Sequence, residues 1–175
     1  HQLPAWRNAA TLTARILNVF PNHPTALETQ AGHLLRSTGD FQEANRLASL
    51  ALQAQPHHWK ALLVKAQCLW AMEGPTSART FLRAIPPPTP LYTLSNWQRD
   101  LARYALLVGD HREALQSADQ AMALLPFHDV ARTPIVLLAM TAAFENEDTP
   151  RALSYARQFP PYARKTTLEL ADLLP

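Results

Sequence analysis

The hexapeptide Gly39-Asp40-Phe41-Gln42-Glu43-Ala44 returns later in the chain as Gly109-Asp110-His111-Arg112-Glu113-Ala114. In both, a glycine and an acid stop one run of helically spaced apolar residues. An alanine five positions after the glycine falls where a second helix must pass close to the first. Aligning the alanine after each such break gives Ala44, Ala78, Ala114 and Ala152, which are 34, 36 and 38 residues apart. A phrase that recurs at a period in the thirties defines a stack of like units, each burying its faces against its neighbours.

Apolar spacing predicts helices over residues 5–20, 25–37, 41–55, 58–72, 76–85, 94–108, 111–125, 130–145, 149–159 and 162–174. In the first, Trp6, Ala9, Leu12, Ile16 and Val19/Phe20 form the stripe. Across the first hairpin, Leu27, Ala31, Leu34 and Leu35 are expected to face Phe41, Ala44, Leu47, Ala48 and Ala51. Four glycines against many Ala, Leu, Gln and Arg favour helix over strand. The 15 prolines fit because most fall between the apolar runs. Pro86-Pro87-Pro88-Thr89-Pro90 is the one rigid, extended connector, and the stack is expected to be least regular there.

A 34-residue helix–turn–helix unit is the tetratricopeptide period, and the chain resembles a tetratricopeptide repeat protein over most of its length. The first repeat carries Gly32 at the small helix-crossing site, Gly39-Asp40-Phe41 at the turn, then Ala44, Ala51 and Pro56. The third carries Leu101, Ala102, Gly109-Asp110, Ala114, Ala121 and Pro126 in the same places. The second keeps Ala66, Leu69, Ala78, Leu82 and Pro90 but has Glu73 where glycine is usual. The fourth keeps Ala152 and Ala156, with Glu147 at the turn. The usual aromatic near the start of the first helix is missing, its places taken by Glu28, Leu62, Gln98 and Val136. The resemblance implies an all-α fold, a right-handed α-solenoid of antiparallel helical hairpins. It would form one domain over residues 1–175, with an N-terminal helix (5–20), repeats at 25–56, 58–90, 94–126 and 130–160, and a C-terminal capping helix (162–174).

The resemblance also implies that the first helix of each hairpin lines a concave groove and meets a partner. The matching positions are Thr29, His33 and Arg36 in the first hairpin, and Lys60, Leu63, Gln67 and Trp70 in the second. The third supplies Asn96, Arg99, Arg103 and Leu106; the fourth supplies Leu137, Thr141 and Phe144. Arg36, Lys60, Arg99 and Arg103 would give a positive rim suited to carboxylates, and Trp70 and Phe144 aromatic anchors. Reversing the charge at Arg99 and Arg103 is expected to weaken partner binding without altering melting. Some members of the family clamp a C-terminal carboxylate. The matching places here hold Thr29, His33, Val64, Asn96 and Asp100, and Asp100 has the wrong sign for that activity.

No catalytic, cofactor or metal site is expected. His57-His58 point in different directions on a helix, and no ligand-spaced partner follows. Asp110 and Asp129 beside His111 and His128 read as helix-start acids. No phosphate loop, HExxH pattern or nucleophile elbow is present. Sixteen basic against fourteen acidic residues give +2, with the bases scattered, so nucleic acid is not an expected partner. Cys68, the single cysteine, reads as a small core residue in a chain that leans to a reducing compartment, the cytoplasm. No apolar run is long enough for a membrane span. The start at His1 reads as an excised or processed piece, which leaves room for a membrane-tethered parent.

The expected function is a non-catalytic interaction module that binds a protein or peptide segment of some acidic character and helps assemble or localise a complex. Its composition resembles that of bacterial scaffolds of envelope, secretion or exopolysaccharide machinery. The alternatives are a chaperone for a secreted substrate, a ligand-sensing regulatory module of a larger protein, or a structural role. In the last, Leu168, Leu170, Leu173 and Leu174 mediate self-association.

Overall fold

The computed structural model describes residues 9–126 and 129–159. Among the described residues the fold is all helix, with no strand. The helices are α1 (Ala9–Val19), α2 (Pro24–Ser37), α3 (Phe41–Ala54), α4 (Trp59–Glu73), α5 (Pro75–Ala84), α6 (Leu91–Leu107), α7 (His111–Ala123), α8 (Arg132–Glu145) and α9 (Thr149–Ala156). They form two compact units, the first ending at Ala84 and the second starting at Ile85. The division falls at the entry to the proline-rich connector.

In the first unit α1 packs on α2, and α2/α3 and α4/α5 are antiparallel hairpins. α3 packs on α4, and α2 also reaches α4. The two first helices are therefore neighbours, as hairpin stacking requires. The core is made of small side chains: Ala31, Ala44, Ala48, Ala51, Ala61 and Cys68 are fully buried, with Leu27, Leu47 and Val64 filling between them. Methyl-sized residues at these positions let ridges and grooves of adjacent helices come close. The second unit repeats the scheme with α6/α7 and α8/α9, α7 on α8 and α6 reaching α8. Its core gathers Ala102, Ala105, Ala118, Ala121, Ile135, Ala139, Ala142 and Tyr155. Arg132, at the start of α8, fastens three helix ends. It donates to the carbonyls of Met122 (2.6 Å) in the last turn of α7 and Leu125 (3.1 Å) just beyond it, and to Gln158 Oε1 (3.1 Å) after α9.

The turns show why the recurring phrase is Gly-Asp. Asp40, Asp110 and Asp148 are each the N-cap of a second helix, accepting from the backbone N–H of Glu43, Glu113 and Arg151 at 3.1 Å. Each such cap is worth about 1 kcal/mol. The residue before each aspartate is left-handed: Gly39 (φ 67°), Gly109 (φ 79°) and Glu147 (φ 59°). After α6 the Asp110 N–H reaches the Ala105 carbonyl at 2.9 Å and the Gly109 N–H that of Leu106 at 3.1 Å. After α8 the Asp148 N–H reaches Ala143 and the Glu147 N–H reaches Phe144, both at 2.9 Å. These are paired Schellman closures, and the second is built on a residue with a Cβ.

Glu147 is the only described non-glycine residue with positive φ, and for a residue with a side chain this region costs roughly 1–2 kcal/mol. Glu147→Gly is expected to stabilise the protein by about 1 kcal/mol once glycine's greater chain entropy is set against that strain. Thermal unfolding reads this as a midpoint raised by roughly 2–4 °C; an unchanged or lower midpoint would show that the Glu147 side chain repays its backbone.

The second turn departs from the sequence reading. The glycine of that turn is present but displaced by one: Gly74 (φ 96°) takes the left-handed position, and Glu73 ends α4. One residue, with Pro75 opening α5, replaces the three-residue loops of the other hairpins. Other boundaries shift modestly. α6 begins at Leu91, three residues early, since Pro90 already supplies its N-cap backbone. α8 begins at Arg132, leaving Val130 exposed. α9 ends at Ala156, followed by single-turn bonds that reach Phe159. The apolar stripe of α1 needs correction: Val19 and Phe20 are 69% and 62% exposed. Leu17 instead packs on the core, beside the half-buried Leu12 and Ile16. Trp6 and the helix over 162–174, with its capping and self-association roles, lie outside the described residues.

Candidate partner-binding site

The groove positions lie on two first-helix faces, one in each unit. In the first unit α2 presents His33 and Arg36, both exposed, and α4 presents Lys60 and Trp70, exposed, with Gln67 half-buried. In the second, α6 carries the half-buried Asn96, Arg99 and Arg103, and α8 the exposed Phe144. None of these nine side chains belongs to the buried core, because three- and four-residue steps keep them off the stripe that faces the second helices.

On the first-unit face the side chains bond mostly along their own helices. Ser37 Oγ lies 3.2 Å from His33 Nδ1 and donates to the His33 carbonyl at 2.7 Å. The Arg36 guanidinium folds back over Gly32, where an added Cβ would sit 3.2 Å from Nη1. The nearest atoms to the space above the buried Gly32 therefore belong to a side chain of its own helix. Trp70 is 40% exposed near the end of α4.

The α6 face is built differently. Asp100 is fully buried, and its Oδ1 accepts from Arg99 Nε at 3.2 Å and Nη2 at 3.1 Å. Arg103 Nη2 lies 3.5 Å from the same oxygen and donates to Tyr104 Oη at 3.0 Å. Arg99 Nη1 donates to Asn96 Oδ1 at 2.9 Å, and Asn96 Nδ2 donates to the Tyr92 carbonyl at 3.0 Å. One carboxylate thus fixes two guanidinium groups at the surface, and the trio carries a net single positive charge. The Arg103 guanidinium also stacks 4.9 Å from the Tyr104 ring centroid. This corrects the expectation that charge reversal at Arg99 and Arg103 leaves melting unchanged, because both residues neutralise a buried acid.

Burial pushes the Tyr104 hydroxyl up to about 12, against the pull of the neighbouring Arg103. The Tyr155 hydroxyl is also held at about 12, first by burial and then by its bond to Asp119. Both phenols are neutral in the fold and ionise sooner in the unfolded chain. Their contribution to stability is therefore complete below pH ~10 and lost as pH rises towards ~12, by up to about 1.4 kcal/mol per pH unit for each. Phenolate absorbance should show Tyr104 and Tyr155 ionising late, with unfolding; replacing Tyr104 by Phe should remove its share of that late phase.

Sequence reasoning found Asp100 only as a misfit for carboxylate clamping. Its helical spacing to Arg103 and its adjacency to Arg99 were the available signal for an anchor. Two histidines act as caps: His23 Nδ1 accepts from the Ala26 N–H at 3.3 Å and His58 Nδ1 from the Ala61 N–H at 3.4 Å. Among the described residues no group of three or more His, Cys, Asp or Glu is placed to hold a metal ion. Burial raises the Cys68 thiol to about 11, which keeps it protonated and unreactive at neutral pH.

Stacked helical hairpins whose first helices present exposed polar and aromatic side chains define an interaction repeat. Residues 35–103 match the family model described as tetratricopeptide repeat. Residues 35–103 thus carry tetratricopeptide repeats, and the all-helical hairpins of both units are consistent with an α-solenoid. Repeats of this family generally mediate protein–protein interaction and are typically non-catalytic. No curated protein matches the chain. No helix among the described residues is long and apolar enough to cross a membrane.

Proposed function

We propose that the chain is a non-catalytic adaptor that binds an acidic segment of a protein partner on its first-helix faces. The observation that carries this reading is the Asn96–Arg99–Asp100–Arg103 network, which holds two guanidinium groups in place before any partner arrives. Preorganised arginines lose less entropy on binding a carboxylate than mobile ones do. Arg36 and Lys60 add exposed positive charge, and Trp70 and Phe144 supply apolar surface for hot-spot contacts. Binding of this kind would serve to assemble or localise a multiprotein complex. The setting in bacterial envelope, secretion or exopolysaccharide machinery is supported by compositional likeness alone.

The test uses the whole chain and an array of immobilised peptides that differ only in Glu-to-Gln exchange. Acidic peptides should bind more tightly than their amide forms, and the preference should shrink as salt rises. The double variant Arg36→Glu/Lys60→Glu alters two exposed residues and should keep its melting temperature while losing roughly tenfold in affinity. Equal binding of both peptide series, or unchanged affinity in the double variant, would remove the acidic-partner reading.

A further inference from the structure

Within the second unit a groove of about 440 Å³ lies along the second helices, away from the positions proposed above. It is lined by Arg112, Gln116, Asp119 and Gln120 of α7, by Asn146 after α8, and by Arg151 of α9, over a floor made by the buried Leu115. The α7 residues recur at four-, three- and one-residue steps, which places them on one side of the helix.

Two features make this more than a dent between helices. First, Asp119 is already spent. Its Oδ1 accepts from Tyr155 Oη at 2.6 Å and its Oδ2 from Arg151 Nη2 at 2.5 Å, while Arg151 Nε donates to Tyr155 Oη at 3.1 Å. The acid therefore fixes Arg151 at the wall and offers little negative charge to a visitor. Second, Arg112, Gln116, Gln120 and Asn146 surround the same space with exposed side chains that make no hydrogen bond or ion pair within the described structure. The lining carries two guanidinium groups, one neutralised carboxylate and three amides. Such a set recognises one carboxylate and the peptide groups beside it, since the amides both donate and accept. The volume is at the small end of ligand sites, the size of a few residues.

We infer that this groove is a second binding site, for a short peptide segment of a partner that carries a carboxylate, with Arg112 as its main charged contact. A segment held here would engage the protein on the second helices while the first-helix faces remain available. The two sites together would raise overall affinity through effective concentration.

The probe is the tripeptide acetyl-Ala-Glu-Ala-amide, titrated into the isotope-labelled full chain and followed by amide chemical shifts. Saturable shifts at 112, 116, 120, 146 and 151 are expected. The Gln-containing tripeptide should bind roughly tenfold more weakly, as should the Arg112→Gln variant, whose exposed side chain supports no core. The Arg36→Glu/Lys60→Glu variant should bind the tripeptide here as the wild type does, whatever becomes of first-helix binding. Equal shifts with the Gln peptide, indifference to Arg112→Gln, or shifts confined to α6 would each overturn the assignment.

Discussion

Replacing Arg99 and Arg103 together by methionine is expected to destabilise the protein by about 3–5 kcal/mol, because it strands a buried carboxylate without its counter-charges. Asp100 has no exposed surface, and its Oδ2 has no hydrogen-bond partner, so the whole anion depends on what reaches Oδ1. Methionine keeps much of the packing volume of arginine, so the loss reports charge more than cavity. Each single variant should cost less than half of the double, since the remaining guanidinium still faces the acid. Adding Asp100→Asn to the double variant should recover most of the loss, because a neutral amide needs no counter-ion. Urea unfolding of the wild type and the four variants gives the comparison. A double variant within about 1 kcal/mol of wild type, or no recovery on adding Asp100→Asn, would show that the network is not what supports α6.

The second large effect lies in the first unit. Leu82 is fully buried on α5, one of the largest side chains with no exposed surface. Leu82→Ala removes methyl and methylene contacts and leaves a void, at a cost of about 2–5 kcal/mol. α5 packs on α4, which carries the equally buried Cys68. That thiol is a built-in reporter, because it can react with a disulfide reagent only after local opening. If opening precedes labelling, the Leu82→Ala variant should label at least roughly 30-fold faster than wild type, the factor that 2 kcal/mol represents. Labelling of Cys68 in the folded wild type at the rate of a free thiol would contradict its burial.

The architecture was legible in the sequence because its signals are local and repeated. Gly39-Asp40 and Gly109-Asp110 are chemically forced: one residue must turn left-handed, and the next must cap a helix. The alanines five residues on mark the crossing, and most predicted helix ends fall within a few residues of those observed. What was misread depends on partners distant in space or on a single displaced residue. Nothing local distinguishes Leu17 from Val19 on α1, since only the docking of α1 on α2 decides which side is buried. The slip from Glu73 to Gly74 follows from the shortened turn, in which Gly74 directly precedes Pro75 with no capping aspartate between them, so an alignment anchored on the later alanine misplaces the glycine by one. For the site, the exposed positions were reachable from helical phase. Asp100 as an anchor, and Asp119 joined to Arg151 and Tyr155 across 32 and 36 residues, required the packed structure.

The principal packing in both units joins each helix to the next or to the next but one. A chain wired this way has little loop-closure entropy to overcome before its contacts become favourable, and topologies of such low contact order fold in microseconds to milliseconds. During synthesis, a hairpin can close as soon as its second helix has left the ribosome, with its capping aspartate already in place. The hairpins of this protein can thus be acquired in the order in which they are translated, without waiting for a distant strand to arrive.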